Sequence, residues 1–241
     1  LVDSSADSYN IGVKEIEARI TEKTSCIFVV HSLGQAAEIT DIIKMANTYG
    51  LKVLEDCSQA HGALWNDQRV GTFGDIAAFS TMYRKASITG SAGGVIFSRN
   101  VDIYQEAVAY ADRGKPRWRD DFDDRNPGQY LFPALNFNID EISCAIGLAS
   151  INRLDVTRRR RLEYVTRVSE LINERSKVCR PYGCADNDSP FIYPIVVNRD
   201  AIMVDKTKFA QAIIAEGIGL NSHYKYLVAD WPWVQPYLSD D

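Results

Sequence analysis

Three short apolar runs between Val53 and Phe97, each bordered by polar or glycine residues, constrain this chain more than any other feature. Val53 and Leu54 run directly into Glu55 and Asp56. Ile76 to Phe79 end at Ser80, with Lys85 just beyond, and Gly93 and Gly94 open Val95 to Phe97. Upstream, Cys26 to Val30 is a continuous apolar run, as expected of a strand buried on both faces. Ile39 to Tyr49 carries Ile42, Ile43 and Ala46 at helical spacing, with Gly50 as its stop. Strand, helix and strand in that order predict parallel strands joined by a crossover helix. In such α/β sheets ligands bind at the carboxyl ends of the strands. Asp56, Ser80 and Lys85 all fall at that edge.

A carboxylate, a hydroxyl and an amine delivered to one edge meet the needs of a single cofactor, pyridoxal 5'-phosphate. It takes a lysine for its covalent link, an acid beside its pyridine nitrogen, and hydroxyl or backbone donors for its phosphate. Taken singly the residues say little. A lysine is ordinarily a solvated surface charge, an aspartate after a strand is often a turn residue or helix cap, and a lone serine carries no signal. The ordered combination carries the inference.

The segments Glu55-Asp56-Cys57-Ser58-Gln59-Ala60-His61-Gly62 and Gly71-Thr72-Phe73-Gly74-Asp75, followed by Phe79-Ser80 and Lys85, resemble the active-site region of the DegT/DnrJ/EryC1/StrS sugar aminotransferases. The resemblance implies an α/β fold, the fold type I of PLP-dependent transferases, with a mostly parallel sheet in a large domain and a smaller α/β C-terminal domain. It places the domains at residues 1–140 and 141–241. It implies that Lys85 is the catalytic lysine, Asp56 the pyridinium partner, Ser80 a phosphate ligand, and Gln59 a contact of the cofactor ring or its substituents. The segment around His31 also resembles the family's, as does His223-Tyr224, which extends the candidate substrate contacts to His31, His223 and Tyr224. For His31 a structural hydrogen bond is the stronger alternative on the residues alone, and a His-Tyr pair in a strand more often packs.

Asn136-Phe137-Asn138 resembles a segment whose asparagine reaches the neighbouring subunit's cofactor phosphate, implying a homodimer with a shared active site. Two departures stand out: Ala134 replaces a glycine and Asn138 an arginine, which removes a bidentate anion contact. Arg113 to Pro133 is rich in Arg, Asp, Pro and Gly and reads as a long loop. Its basic residues meet either a phosphate-bearing substrate or the aspartates at 120, 121, 123 and 124. Glu141 to Leu171 reads as one long helix. Phe191 to Val197 reads as a strand, Lys206 to Glu216 as a helix stopped by Gly217, and Ile218 to Tyr224 as a further strand or loop, together a small β-α-β set.

Composition narrows the classes of function. A net charge of −5 disfavours nucleic acid as a partner. No apolar run is long enough to span a membrane, and the first residues do not form a signal peptide. Five cysteines without metal-ligand pairing read as reduced thiols of a cytoplasmic protein, with no metal expected. The chain begins at Leu1, and the resemblance implies that the family's N-terminal segment is missing. The expected reaction is amino transfer to a keto-sugar, nucleotide-linked, with glutamate as donor. The alternatives are a sugar dehydratase of the same family, against which Lys85 speaks because histidine commonly replaces the lysine there, and a non-catalytic regulatory or sugar-binding protein that kept the fold.

Overall fold

The structure is a computed structural model that describes residues 1–6, 8–224 and 227–238. Its contacts divide the chain into two units. The larger comprises Val2–Tyr164 and Cys184–Ile192, and the smaller comprises Val165–Gly183 and Tyr193–Asp241 with Leu1.

In the larger unit, helix α1 (Val13–Glu17) precedes strand β1 (Cys26–Val30), helix α2 (Ile39–Thr48) and strand β2 (Lys52–Asp56). A small antiparallel hairpin, β3 (Leu64–Trp65) and β4 (Gln68–Arg69), then leads to β5 (Ile76–Ser80) and β6 (Gly94–Phe97). The sheet order is β1-β2-β5-β6. The first two pairings are parallel, with Val30 opposite Asp56 and Asp56 opposite Ala78, and β6 runs antiparallel to β5. Strands β2 and β5 therefore end at the same edge, as the three runs predicted.

Burial follows the two-residue period of a strand. Ile27, Val29 and Val53 pack with Ile39, Ile42, Met45 and Ala46 of α2 in the main core. Phe28, on the opposite face of β1, is 56% exposed. This corrects the expectation of a strand covered on both faces: the amphipathic helix α2 covers one. The same period separates Glu55 from Asp56, sending Glu55 into the core and Asp56 to the other face.

Glu55 is fully buried and accepts a dense set of hydrogen bonds. Its Oε1 accepts from the backbone N–H of Phe73 (2.8 Å) and Gly74 (2.6 Å), and its Oε2 from that of Gly71 (2.7 Å). His31 Nδ1 accepts from the Ala37 N–H at 3.0 Å, so the proton lies on Nε2, which donates to Glu55 Oε2 at 2.9 Å. One carboxylate thus joins the end of β1, the middle of β2 and the Gly71–Gly74 turn that leads into β5. The Cys57 thiol lies close to this pair, and burial beside two carboxylates pushes it well above the usual thiol range.

Helix α3 (Val101–Ala111) follows the sheet, then the irregular stretch 112–140, as expected. The long helix read from Glu141 to Leu171 is two helices, α4 (Glu141–Ile151) and α5 (Leu154–Arg175). The Arg153 N–H bonds the Ser150 carbonyl, a tightened turn that ends α4. Asp140 starts α4 by accepting from the Ser143 N–H at 2.8 Å.

The smaller unit holds the end of α5, β7 (Cys179–Pro181), β8 (Ile195–Val197) and α6 (Lys206–Ala215). Strands β7 and β8 are antiparallel, and 218–224 takes the loop alternative rather than the strand, so the expected β-α-β set is corrected to two strands and a helix. The run from Phe191 is shorter than it reads because Pro190 and Pro194 have no N–H to give a ladder. No helix among the described residues is long and apolar enough to cross a membrane.

Burial raises the Glu55 pKa, but the His31 bond and the Gly74 and Gly71 N–H groups outweigh it, and the carboxyl is held below its usual value. Its contribution is therefore present above the ordinary glutamate pKa and lost as pH falls through the lowered folded value. Glu55→Gln, which turns a donor toward N–H groups, is expected to cost on the order of 3 kcal/mol in urea unfolding at neutral pH. The difference from the unmodified protein should shrink below about pH 4.

Candidate functional site

The edge where β2 and β5 end assembles the polar residues of the conspicuous stretch. Asp56 closes β2, and its Oδ1 accepts the Ser58 N–H at 2.8 Å, a side-chain-stabilised turn. The Ser58 hydroxyl in turn accepts from the Ser80 N–H at 3.2 Å. Gln59 turns back toward β1, where its Oε1 accepts the Leu33 N–H at 2.8 Å. These bonds tie the ends of three strands together.

Lys85 lies in the excursion between β5 and β6, which closes on itself. Thr81 N–H bonds the Gly93 carbonyl, Tyr83 N–H that of Ser91, and Thr89 N–H that of Thr81. The Thr81 and Thr89 hydroxyls meet at 2.9 Å. Lys85 is half-buried, with its Nζ 4.6 Å from the centre of the Phe191 ring, a cation–π contact. Burial pulls its pKa below the ordinary lysine value, partly opposed by the negative charge of Asp56. His61 completes the group. Burial, then the positive charges of Lys85 and Arg161, press its pKa down to about 4, so the ring is neutral at physiological pH.

The Phe191 wall depends on a close backbone contact. Ser189 N–H bonds the Gly34 carbonyl at 2.8 Å and Phe191 N–H that of Leu33 at 3.1 Å. Gly34 has φ +100°, and a Cβ there would stand 2.0 Å from the Ser189 carbonyl oxygen. Only glycine fits.

The structure brings Asp56, Gln59, Ser80 and Lys85 to one region. It does not leave His31 free for a substrate: the ring is fully buried with both nitrogens bonded, the structural reading of that residue. His223 and Tyr224 belong to the smaller unit, where the His223 Nε2 meets the Thr207 hydroxyl at 3.0 Å. Asn136 is exposed, paired through its backbone with Asp112, and its Oδ1 accepts the Asn138 N–H at 3.1 Å. Asn138, in the arginine's place, hydrogen-bonds the Asp112 carboxylate.

Three of the loop's basic residues, Arg113, Lys115 and Arg117, are engaged by carboxylates. Arg113 and Arg117 both pair with Asp112, and Lys115 is buried against Asp124 and the Tyr130 ring. Asp112 was outside the group of aspartates expected to balance them. It is desolvated, yet Arg117, Arg113 and Asn138 hold its carboxyl down at about 2. Ser58 and His61 lay inside the quoted segments without an assigned role. Phe191 and Arg161 carried no local signal and are brought in only by folding.

The sequence matches the family described as DegT/DnrJ/EryC1/StrS aminotransferase over residues 1–239. The chain belongs to that family. It is 34% identical to dTDP-3-amino-3,6-dideoxy-alpha-D-galactopyranose transaminase of Aneurinibacillus thermoaerophilus, over 68% of this chain and 42% of that one. Among solved structures it is similar to a Helicobacter pylori aminotransferase involved in the biosynthesis of pseudoaminic acid. That match has a TM-score of 0.84 and 21% identity, covering 96% of this chain and 61% of the other. An E. coli GDP-4-keto-6-deoxy-D-mannose-3-dehydratase with bound hydrated PLP gives a TM-score of 0.77 and 22% identity, over 90% and 58% respectively. The chain thus spans about half the length of the relatives it matches. Its fold is the α/β fold type I of PLP-dependent transferases.

Gly34→Ala is expected to cost more than about 1 kcal/mol and to move Ser189 and Phe191. Faster hydrogen exchange at the Phe191 amide, measured against distant α3 amides, would report it. Unchanged exchange would show that this contact does not hold the wall.

Proposed function

We propose that this chain carries the lysine-bearing part of a PLP-dependent aminotransferase that converts a keto-sugar, nucleotide-linked, to an amino sugar with glutamate as donor. One observation carries the reading. Lys85 and Asp56 face the same edge of β2 and β5 closely enough to feel each other's charge, with the Ser58–Ser80 pair between their strands. This donor set fits pyridoxal phosphate: a partly desolvated amine, a carboxylate to pair with a protonated pyridine nitrogen, and hydroxyls for the phosphate. When bound, the cofactor supplies an electron sink for the carbon that loses its proton.

The residues divide the remaining work. Lys85 would hold the cofactor through its amine and, as a free amine, would move the proton at the donor carbon. Burial aids both roles, because the lowered pKa leaves more free amine near neutral pH. Asp56 holds the pyridine nitrogen protonated through a charge-assisted hydrogen bond. Ser80 binds the phosphate. Gln59, fixed by the Leu33 N–H, borders the ring's substituents.

A homodimer with Asn136 contributed by the partner is part of the same proposal. It is supported by the apolar residues left exposed around that asparagine, Leu135 and Phe137, and by Ile142 and Leu148 on α4. The relatives' names support a sugar substrate, since one transaminates a deoxyamino sugar nucleotide.

Borohydride reduction of the intact protein with pyridoxal phosphate, followed by peptide mass mapping, is expected to place the adduct on Lys85. Lys85→Ala should lose the adduct and at least about a thousandfold of amino transfer from glutamate to a keto-sugar panel, the loss expected of a missing nucleophile and base. Lys44→Ala, at an exposed ion pair, should lose neither. An intact, folded protein without adduct at Lys85 would sink the aminotransferase reading and favour a non-catalytic binding protein.

A further inference from the structure

Two buried histidines in the larger unit behave differently. His31 has both ring nitrogens bonded and serves the core. His61 is 4% exposed, yet its Nε2 has no hydrogen bond of ordinary geometry. A buried polar group left short of a partner requires an explanation beyond stability, and the other contacts of His61 supply one.

Those contacts converge on Lys85. His61 Nδ1 accepts the Ser87 N–H at 3.1 Å, two residues after the lysine. The His61 ring lies against the backbone of Ser80, five residues before the lysine. The ring also touches Phe79, centroids 5.8 Å apart at 47°. The His61 carbonyl accepts from the Ser189 hydroxyl, which anchors the segment carrying Phe191 over the Lys85 Nζ. One residue therefore touches the strand that leads to the lysine, the loop beyond it and the wall that covers it.

We propose that His61 is a positioning residue for Lys85, pinning both ends of the loop that carries it and the segment that covers its amine. The proposal rests on the reading of Lys85 as the cofactor-binding lysine. It requires Nδ1 to be an acceptor, so the ring works neutral. The charged groups facing the pair are Asp56 at the end of β2 and Arg161 of α5. Freeing the loop would let water reach Lys85 and raise the pH at which its amine becomes available.

The test uses the intact protein, pyridoxal phosphate and borohydride, with the Lys85 adduct quantified by mass mapping across pH. Amide exchange of residues 86–88 and thermal unfolding are measured alongside. His61→Leu is expected to raise the midpoint of adduct formation by about one pH unit and to speed exchange at the Ser87 amide by at least about tenfold. His61→Asn, whose Oδ1 can stand where Nδ1 accepts, should recover most of both. If His61→Leu does not fold, His61→Gln, whose amide reaches past the Ser87 N–H, serves with the same expectations. An unchanged midpoint in a variant that forms the adduct would overturn the proposal and leave the cofactor assignment standing. Should the unmodified protein form no adduct on Lys85, the cofactor reading fails and exchange at Ser87 decides: faster exchange in the variant supports the pinning, and unchanged exchange overturns it.

Discussion

The arrangement depends on one buried carboxylate. Glu55 enters the core because it alternates with Asp56 along β2, and it is tolerable there only because three backbone N–H groups and His31 surround it. An uncompensated charge at that depth would be expelled or neutralised. Satisfied, it fixes the Gly71–Gly74 turn against β2 and so determines where β5 begins. The position of Ser80 at the end of β5, and of Lys85 beyond it, follows from that start.

On the other face of the same strand, the site is a meeting of short segments distant in sequence. Residues 33–34 follow β1, 56–61 follow β2, 80–87 follow β5, and 189–191 arrive after α5 has run its course. Residues 33–34 and 189–191 are joined main chain to main chain, and the other segments are joined through the side chains of Ser58, Gln59, His61 and Ser189. At the centre is a half-buried amine beside one carboxylate and one aromatic face, its pKa pulled down by burial and partly held up by Asp56.

Much of this was legible beforehand. The apolar runs marked β2, β5 and β6, Gly50 and Gly217 marked helix ends, and the order of Asp56, Gln59, Ser80 and Lys85 marked the edge they share. Other readings failed for identifiable reasons. The Cys26–Val30 run cannot reveal that a helix covers only one of its faces. The apolar register from Glu141 to Leu171 continues across the tightened turn at Arg153, so two helices read as one. Lys115 takes Asp124 from the acidic cluster, one of the two readings the sequence left open, whereas Arg113 and Arg117 take Asp112 at the end of α3, outside that cluster.

By itself the sequence determined the parallel strand–helix–strand start of the α/β sheet, the chemical types gathered at its edge and the family to which the chain belongs, because these rest on local spacing and residue identity. Only the tertiary structure decided that His31 serves the core while His61 touches the lysine loop, and that Phe191 covers Lys85. Each of those depends on distance between residues far apart in the chain. Such distances are set by hydrogen bonds closed between segments, through side chains for His31 and His61 and through the backbone for Phe191, which no local pattern records.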